Sequence, residues 1–343
     1  MKSKARFLLS KKKALEQYHF IKSYGDEVSY SLKTNYELGK LLRDETNCSF
    51  SVHTTQSAEF IDAPERIWFF LQATDSEELA ELKKLGVRKF VVDNENDLQT
   101  LVDFIDSSSL DIELLLRMKL KENTIHTGKH FVFGMKSHFV NDKIHKLREN
   151  PKISKLGIHF HRKTQNVSEW SLKYELSQAL NQSALEKVDY VNIGGGIPVA
   201  YKNYRAEVLD NILSKLTEFR EWLNSYNIKM IVEPGRFIAG PCIELETTIK
   251  NIYNGNIIID ASVYNSAMDT FVADFRLRVK GEKENGTPYA IKGCTPCSMD
   301  LFRYRVYLDN PKIGDKIIFE NAGAYNFWTS FCNLQKIPTE IIT

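Results

Sequence analysis

Short runs of β-forming residues alternate with amphipathic stretches along the first two-thirds or so of the chain, and that alternation restricts the fold more than any other feature. The runs are Val28–Leu32, Ser49–His53, Ile67–Leu71, Lys89–Val92, Ile112–Arg117, Leu156–His161, Tyr190–Ile193 and Lys229–Val232. Between most of them lie helical patterns, such as Tyr36–Leu42, Ser76–Leu85 and Trp170–Leu185. The longest, Ala206–Leu223, places Val208, Ile212, Leu216, Phe219 and Leu223 on one stripe. Eight strands in alternation with helices predict a closed (β/α)8 barrel of the TIM type rather than an open doubly wound sheet. After Phe237 the pattern changes. Ile243–Ile249, Ile257–Ile259, Tyr289–Lys292, Phe302–Leu308 and Lys316–Phe319 read as strands, with turn signals at Asn254-Gly255 and Gly286 and no long helix between them. The expected class is α/β: a barrel over residues 26–236, then a β domain over 237–343.

Charge narrows the partners. Lys plus Arg number 46 against 44 acidic residues, a net of +2, so no strong field points to nucleic acid or to an acidic membrane. The run Lys11-Lys12-Lys13 sits in a helical pattern and reads as a solvated face. Five cysteines in 343 residues make no disulfide framework, and neither a signal peptide nor a stretch of membrane-spanning length is seen. A cytoplasmic protein is expected.

In a barrel of this kind chemistry gathers at the C-terminal strand ends. The first strand ends in Ser31-Leu32-Lys33-Thr34-Asn35, which puts a lysine at the mouth. A buried amine there loses its proton readily and can attack an aldehyde, although taken alone a surface lysine that happens to end a strand is the commoner case. The seventh ends in Gly194-Gly195-Gly196, whose backbone amides can approach a phosphate, although a tight turn needs the same glycines. The eighth ends in Glu233-Pro234-Gly235-Arg236, a carboxylate able to hold a proton on a pyridine nitrogen and an arginine able to pair with phosphate. His159 and His161 alternate at the end of the sixth, a spacing that suits zinc only with a third ligand, and no third ligand is evident. Cys294 and Cys297 form a Cys-x-x-Cys without a second pair, which favours one active-site thiol over a redox or zinc motif.

In this order the motifs resemble the pyridoxal-phosphate decarboxylases of fold type III, the ornithine, diaminopimelate and arginine decarboxylase group built on an alanine-racemase-like barrel. The resemblance runs from Tyr30 to Asn333, and it makes Arg6–Ser10, within an entry segment of residues 1–25, a strand added to the β domain. It implies pyridoxal 5'-phosphate held by Lys33 as a Schiff base, with His161 stacked on the ring and Glu233 on the pyridine nitrogen. It implies a phosphate site of Thr164, the amides of Gly194, Gly195 and Gly196, Arg236 and Tyr325. Arg117 and Glu59 also match active-site positions. The family completes its site with a cysteine proton donor from a partner subunit, which implies a homodimer, with either Cys297 as the donor through a one-residue shift or a different reprotonation. No metal is implied.

The chain departs from the family in several places. In Gly293-Cys294-Thr295-Pro296-Cys297-Ser298-Met299-Asp300 an ungapped match puts Pro296 at the family's cysteine and Cys297 at its acidic residue. His53 stands where many members carry Asp, and Lys163 replaces a glycine. Tyr264, Asp269, Asp274 and Asp300 fall at or near substrate-contacting positions. The acidic pair Asp269 and Asp274 favours a cationic tail, whereas two solvated carboxylates would have no such role. The resemblance therefore implies decarboxylation of a basic amino acid or of a conjugate bearing one, as in polyamine or siderophore chemistry. Racemisation on the same fold and a non-catalytic cofactor-binding paralogue are the competing readings. The run Thr34-Asn35-Tyr36-Glu37 after Lys33 follows the decarboxylases rather than the racemases.

Overall fold

A computed structural model describes residues 4–120, 133–204 and 207–343 of the chain. Ala206, where the sequence pattern starts the longest helix, lies outside the described residues, as do residues 1–3.

The chain enters through β1 (Arg6–Ser10) and a helix over Lys11–Lys22, capped by the Ser10 side chain, which accepts from the Lys13 amide. Eight parallel strands then close a barrel: β2 (Glu27–Ser31), β3 (Ser49–Val52), β4 (Ile67–Leu71), β5 (Lys89–Val92), β6 (Ile112–Arg117), β7 (Ile153–His159), β8 (Tyr190–Asn192) and β9 (Lys229–Val232). All eight expected strands form, with ends shifted by up to a few residues. Two of these shifts matter. β2 stops at Ser31, so Lys33 rides on a 3-10 turn over Leu32–Thr34; β7 stops at His159, so His161 stands in the loop beyond it.

The helices outside follow from capping and periodicity. Asn35, Thr54, Asp75 and Asn94 each cap a helix by accepting a backbone N–H three residues on. The helix over Leu209–Asn224 buries Ile212, Leu216, Phe219 and Leu223 of the expected stripe and leaves Val208 outside it at the surface. The expected single helix over Trp170–Leu185 is two, Leu172–Ala179 and Gln182–Leu185. Asn181 interrupts it, its side chain capping the second helix by accepting from the Ala184 amide.

Inside the barrel, alternation along the strands stacks two layers. Trp68, Val91, Leu115 and Ile231 form an apolar plug, with the Tyr190 ring edge-on to Trp68 at 5.9 Å. Two residues further along the same strands stand Phe70, Asp93, Arg117, Asn192 and Glu233. That step turns a packed core into a polar floor at the C-terminal mouth.

The remaining strands are β10 (Ile243–Tyr253), β11 (Asn256–Ile259), β12 (Arg278–Val279), β13 (Lys283–Lys292), β14 (Leu301–Tyr307), β15 (Lys316–Glu320) and β16 (Thr339–Ile342). With β1 they make an eight-stranded sheet in which β10 pairs with β1, β11 and β15. The N-terminal strand therefore joins the C-terminal sheet, as the resemblance implied. The sequence pattern missed the short β12 and β16 and the helix Arg236–Cys242, which is only two turns long and holds Pro241.

Candidate active site

One cavity opens at the C-terminal mouth of the barrel, and Lys33, His53, Phe70, Arg117, His159 and His161 line one side of it. Thr164, Gln165, Gly195, Gly196, Glu233, Arg236 and Tyr325 complete its wall. Nine of the expected site residues thus converge, eight from the ends of five barrel strands and Tyr325 from the β domain.

Glu233 is the buried anion of the floor. Its Oε1 accepts from Ser51 Oγ at 2.7 Å and Asn192 Nδ2 at 2.9 Å, and its Oε2 meets His159 Nε2 at 3.3 Å. Burial alone would raise its carboxyl, but the His159 ring and the three donated bonds hold it down at about 2. Ser51, Asn192 and His159 were not singled out as partners of this carboxylate. The signal was present in strand alternation, since β7 and β8 place His159 opposite Asn192 and both face inward. The histidine pair does not converge on a metal. His159 turns to Glu233, whereas His161 Nδ1 accepts the Gly195 amide at 3.3 Å. Burial, and then the neighbouring His159, lower His161 to about 4, so it is neutral at pH 7.

Lys33 opens into the cavity with its Nζ 3.5 Å from His53 Nε2. Desolvation lowers its ammonium despite the opposing pull of Glu233. Arg117 lies 3.5 Å from Asp93 and over the Phe133 ring.

The glycine run is a cradle that side chains cannot enter. A Cβ on Gly194 would stand 2.7 Å from the Phe160 carbonyl oxygen, one on Gly195 2.5 Å from that of Glu233, and one on Gly196 2.4 Å from that of Lys163. Gly194 and Gly196 also have φ of +68° and +104°. The three amides differ: Gly194 donates to Asn192 Oδ1 at 2.9 Å and Gly195 to His161, while the Gly196 N–H has no acceptor among the described residues, its carbonyl accepting from the Asn166 amide at 2.7 Å. The first two amides fix the loop.

Arg236 begins its helix buried at 7% exposure, sandwiched by the Phe275 and Tyr325 rings at 4.4 and 5.1 Å. It donates to the Tyr201 hydroxyl at 2.8 Å and to Asp269. Asp269 is therefore engaged by Arg236, which corrects its assignment as a free carboxylate for a substrate tail. Asp274 does not join it; it lies in a separate groove, 2.6 Å from Arg276. Asp300 is corrected too. Its buried carboxylate accepts from the Val263 amide at 2.9 Å and from the Thr295 amide and hydroxyl at 3.1 and 2.7 Å, so it braces the cysteine loop rather than facing a ligand. Cys297 and Tyr264 stand 3.2 Å apart on the β domain, outside the cavity. Glu59 is exposed on the helix Thr55–Ile61 and does not line it.

The family model for the pyridoxal-dependent decarboxylase, pyridoxal binding domain, matches residues 51–240, which run from Ser51 beneath the cavity to Gly240. This chain belongs to the pyridoxal-dependent decarboxylases. Among curated relatives it is 24% identical to the 2-[(L-alanin-3-ylcarbamoyl)methyl]-2-hydroxybutanedioate decarboxylase of Staphylococcus aureus, over 73% of this chain and 70% of that protein. It is also 24% identical to the diaminopimelate decarboxylase of Methanothermobacter thermautotrophicus, over 92% and 79%. The fold matches the lysine/ornithine decarboxylase of Vibrio vulnificus with TM-score 0.82 at 22% identity, covering 99% of this chain and 94% of that one. These relatives are amino-acid decarboxylases, carboxy-lyases; the antizyme inhibitor 2 of Xenopus laevis also matches, 22% identical over 90% of this chain, and pyridoxal phosphate is the cofactor of the family.

The decarboxylase cavity fits that group. An amine, a buried carboxylate and a neutral imidazole stand on one side, and a glycine cradle with a buried cation on the other. Two buried polar atoms in its wall, His159 Nδ1 and Arg236 Nε, have no partner of their own among the described residues. No helix among the described residues is long and apolar enough to cross a membrane.

Proposed function

We propose that this chain decarboxylates a basic amino acid, or an amino-acid conjugate with a cationic tail, with Lys33 as the cofactor-bearing residue. The observation that carries this reading is the convergence, in one cavity, of a lysine of lowered pKa with a carboxylate held at about 2. When bound, pyridoxal phosphate draws the electron pair left by departing carbon dioxide into its ring.

The protein's own residues supply the rest. Glu233, ionised near neutral pH, would hold a proton on the pyridine nitrogen. His161, anchored through Nδ1, would cover the ring face. Arg236, Thr164, Tyr325 and the Gly196 amide would hold the phosphate. Lys33 would anchor the cofactor and give way to the substrate amine. The final proton, to the substrate carbon, comes from Cys297. Because Cys297 and Tyr264 lie off the cavity of their own chain, a homodimer brings the partner copy's loop to it. The barrel, residues 26–236, thus carries the cofactor, and the β domain, 237–343, with the entry segment 1–25, completes the neighbouring site. Asp274, paired with Arg276 outside the cavity of its own chain but with its side chain 73% exposed, would meet a cationic tail from the partner copy.

The test is carbon dioxide release with added pyridoxal phosphate. The panel is ornithine, lysine, arginine, diaminopimelate, carboxynorspermidine and the tricarboxylate conjugate named for the staphylococcal relative. Release from a cationic member supports the reading; release from the conjugate alone overturns the cationic tail. Lys33→Ala should abolish the yellow absorbance of the bound cofactor, and an unchanged spectrum would reject Lys33 as its anchor.

A further inference from the structure

Among the described residues the side-chain partner of Lys33 in the cavity is His53, at a position where the resemblance led us to expect a carboxylate. His53 Nε2 lies 3.5 Å from Lys33 Nζ. The imidazole, exposed at the mouth, stacks parallel on the Phe70 ring, 4.8 Å away with 13° between planes. Phe70 in turn meets the His159 ring edge-on at 5.1 Å, and His159 is bound to Glu233. A row of rings anchored on the buried carboxylate therefore sets the direction of His53. We propose that His53 is a positioning residue for Lys33: it offers the amine a neutral ring nitrogen, which aims the amine into the cavity without an adjacent anion to keep it charged.

The charges around the pair agree with this. Arg117 faces it from β6, His159 from β7 and Glu233 from the end of β9. The one anion among them, Glu233, is already engaged by Ser51, Asn192 and His159. Desolvation, and then the neighbouring lysine, lower His53 to about 4, so its ring accepts and does not carry charge at pH 7. A carboxylate at the same reach would hold the proton on the amine more tightly by about 1–3 pK units. An amine must be unprotonated to attack a carbonyl, so the exchange enlarges the reactive fraction of Lys33 at neutral pH.

The inference rests on Lys33 as the cofactor-bearing residue, and its test separates the two ideas. In the full-length protein without added cofactor, the acetylation of Lys33 by acetic anhydride is followed against pH by peptide mass spectrometry. In parallel, the rate at which visible absorbance grows on adding pyridoxal phosphate is recorded. His53→Asp should move the labelling midpoint of Lys33 up by about 1–3 units and slow cofactor capture at pH 7 about tenfold or more. His53→Asn, which stays neutral, should leave the midpoint near that of the wild type. An unmoved midpoint in a His53→Asp protein with wild-type circular dichroism and melting would overturn the proposal. If His53→Asp does not fold, Phe70→Leu serves instead. It frees the ring and should slow capture several-fold with no change of midpoint, and an unchanged capture rate would overturn the proposal. A midpoint that moves as expected while no absorbance forms in any protein would reject Lys33 as the cofactor's anchor and leave the role of His53 standing.

Discussion

His159 Nε2 and Glu233 Oε2 lie 3.3 Å apart in the cavity floor, and the two residues are only 1% and 8% exposed. A carboxylate so placed is tolerable because three protein donors replace its water. Glu233→Gln keeps the shape and removes the charge, and it presents an amide N–H to at least one of those donors. We expect catalytic turnover to fall by about 10²-fold or more, the scale of losing one preorganised electrostatic group. Absorbance of the bound cofactor should persist, because Lys33 is intact. Steady-state kinetics with a spectrum of each protein checks both; turnover within threefold of wild type would remove Glu233 from the mechanism.

The same residues set the response to acid. His53 and His161 sit at about 4 rather than the usual 6.5, so the unfolded chain binds more protons than the folded one between those values. Their contribution to stability is complete above 6.5 and is lost as pH falls toward 4. Glu233, at about 2 against an ordinary 4.5, contributes fully above 4.5 and loses its share as pH falls toward 2. The melting temperature of the cofactor-free protein should therefore hold steady near neutrality and drop between pH 6.5 and 4. His161→Asn should flatten that upper segment, and a melting curve indifferent to pH across it would contradict imidazoles held neutral in the folded protein.

The barrel and the glycine cradle were legible in the sequence because each is written in a local pattern. Strand alternation, helix caps and a three-glycine run need no knowledge of distant neighbours. The clamp on Glu233 was less visible. Ser51, Asn192 and His159 come from three strands, and only closure of the barrel shows that all three point at one carboxylate. The pairing of Asp269 with Arg236 was hidden for a related reason. The helix Met268–Val272 is five residues long and carries no periodicity from which its facing could be read. Asp300 was misassigned because a buried acid that braces its own loop and an acid that reads a ligand look alike in a motif.

Asp269→Asn tests that correction. Arg236 has a side chain only 6% exposed, and removing its partner leaves a buried cation that the Tyr201 hydroxyl alone cannot balance. We expect the protein to lose about 3 kcal/mol of stability in denaturant titrations, the scale of breaking a buried ion pair from one side. If Asp269 instead read a substrate tail, the variant would fold as wild type and show only a raised KM.

Gly196→Ala should be worse tolerated than most surface substitutions. Its φ of +104° is strained for any side chain, and the new methyl group would meet the Lys163 carbonyl oxygen at 2.4 Å. The loop must move, and the Gly196 amide that we assign to the phosphate moves with it. We expect the dissociation constant for pyridoxal phosphate to rise by at least about tenfold, the effect of 1.4 kcal/mol. Spectroscopic titration with the cofactor reads this directly, and unaltered affinity would place the phosphate elsewhere.

The two thiols of the Cys-x-x-Cys are not equivalent, and their difference decides which can return a proton. Cys297 is half-buried, and its Sγ lies 3.2 Å from the Tyr264 hydroxyl, whose hydrogen bond lowers its pKa. Cys294 is the more exposed of the two, and partial desolvation, with the Asp300 carboxylate adding to it, raises its thiol. A donor must also be reloaded between turnovers, which favours a thiol already in a polar pair. Cys297→Ala should therefore slow turnover by at least about tenfold, within the usual range for losing a proton donor, while Cys294→Ala should leave it within about twofold. Tyr264→Phe should give a smaller loss than Cys297→Ala and move the alkaline limb of the pH profile upward, since the thiol then loses the bond that stabilises its anion. Equal and negligible effects of the two cysteine variants would show that neither thiol is the donor, and that the substrate carbon is protonated by another group.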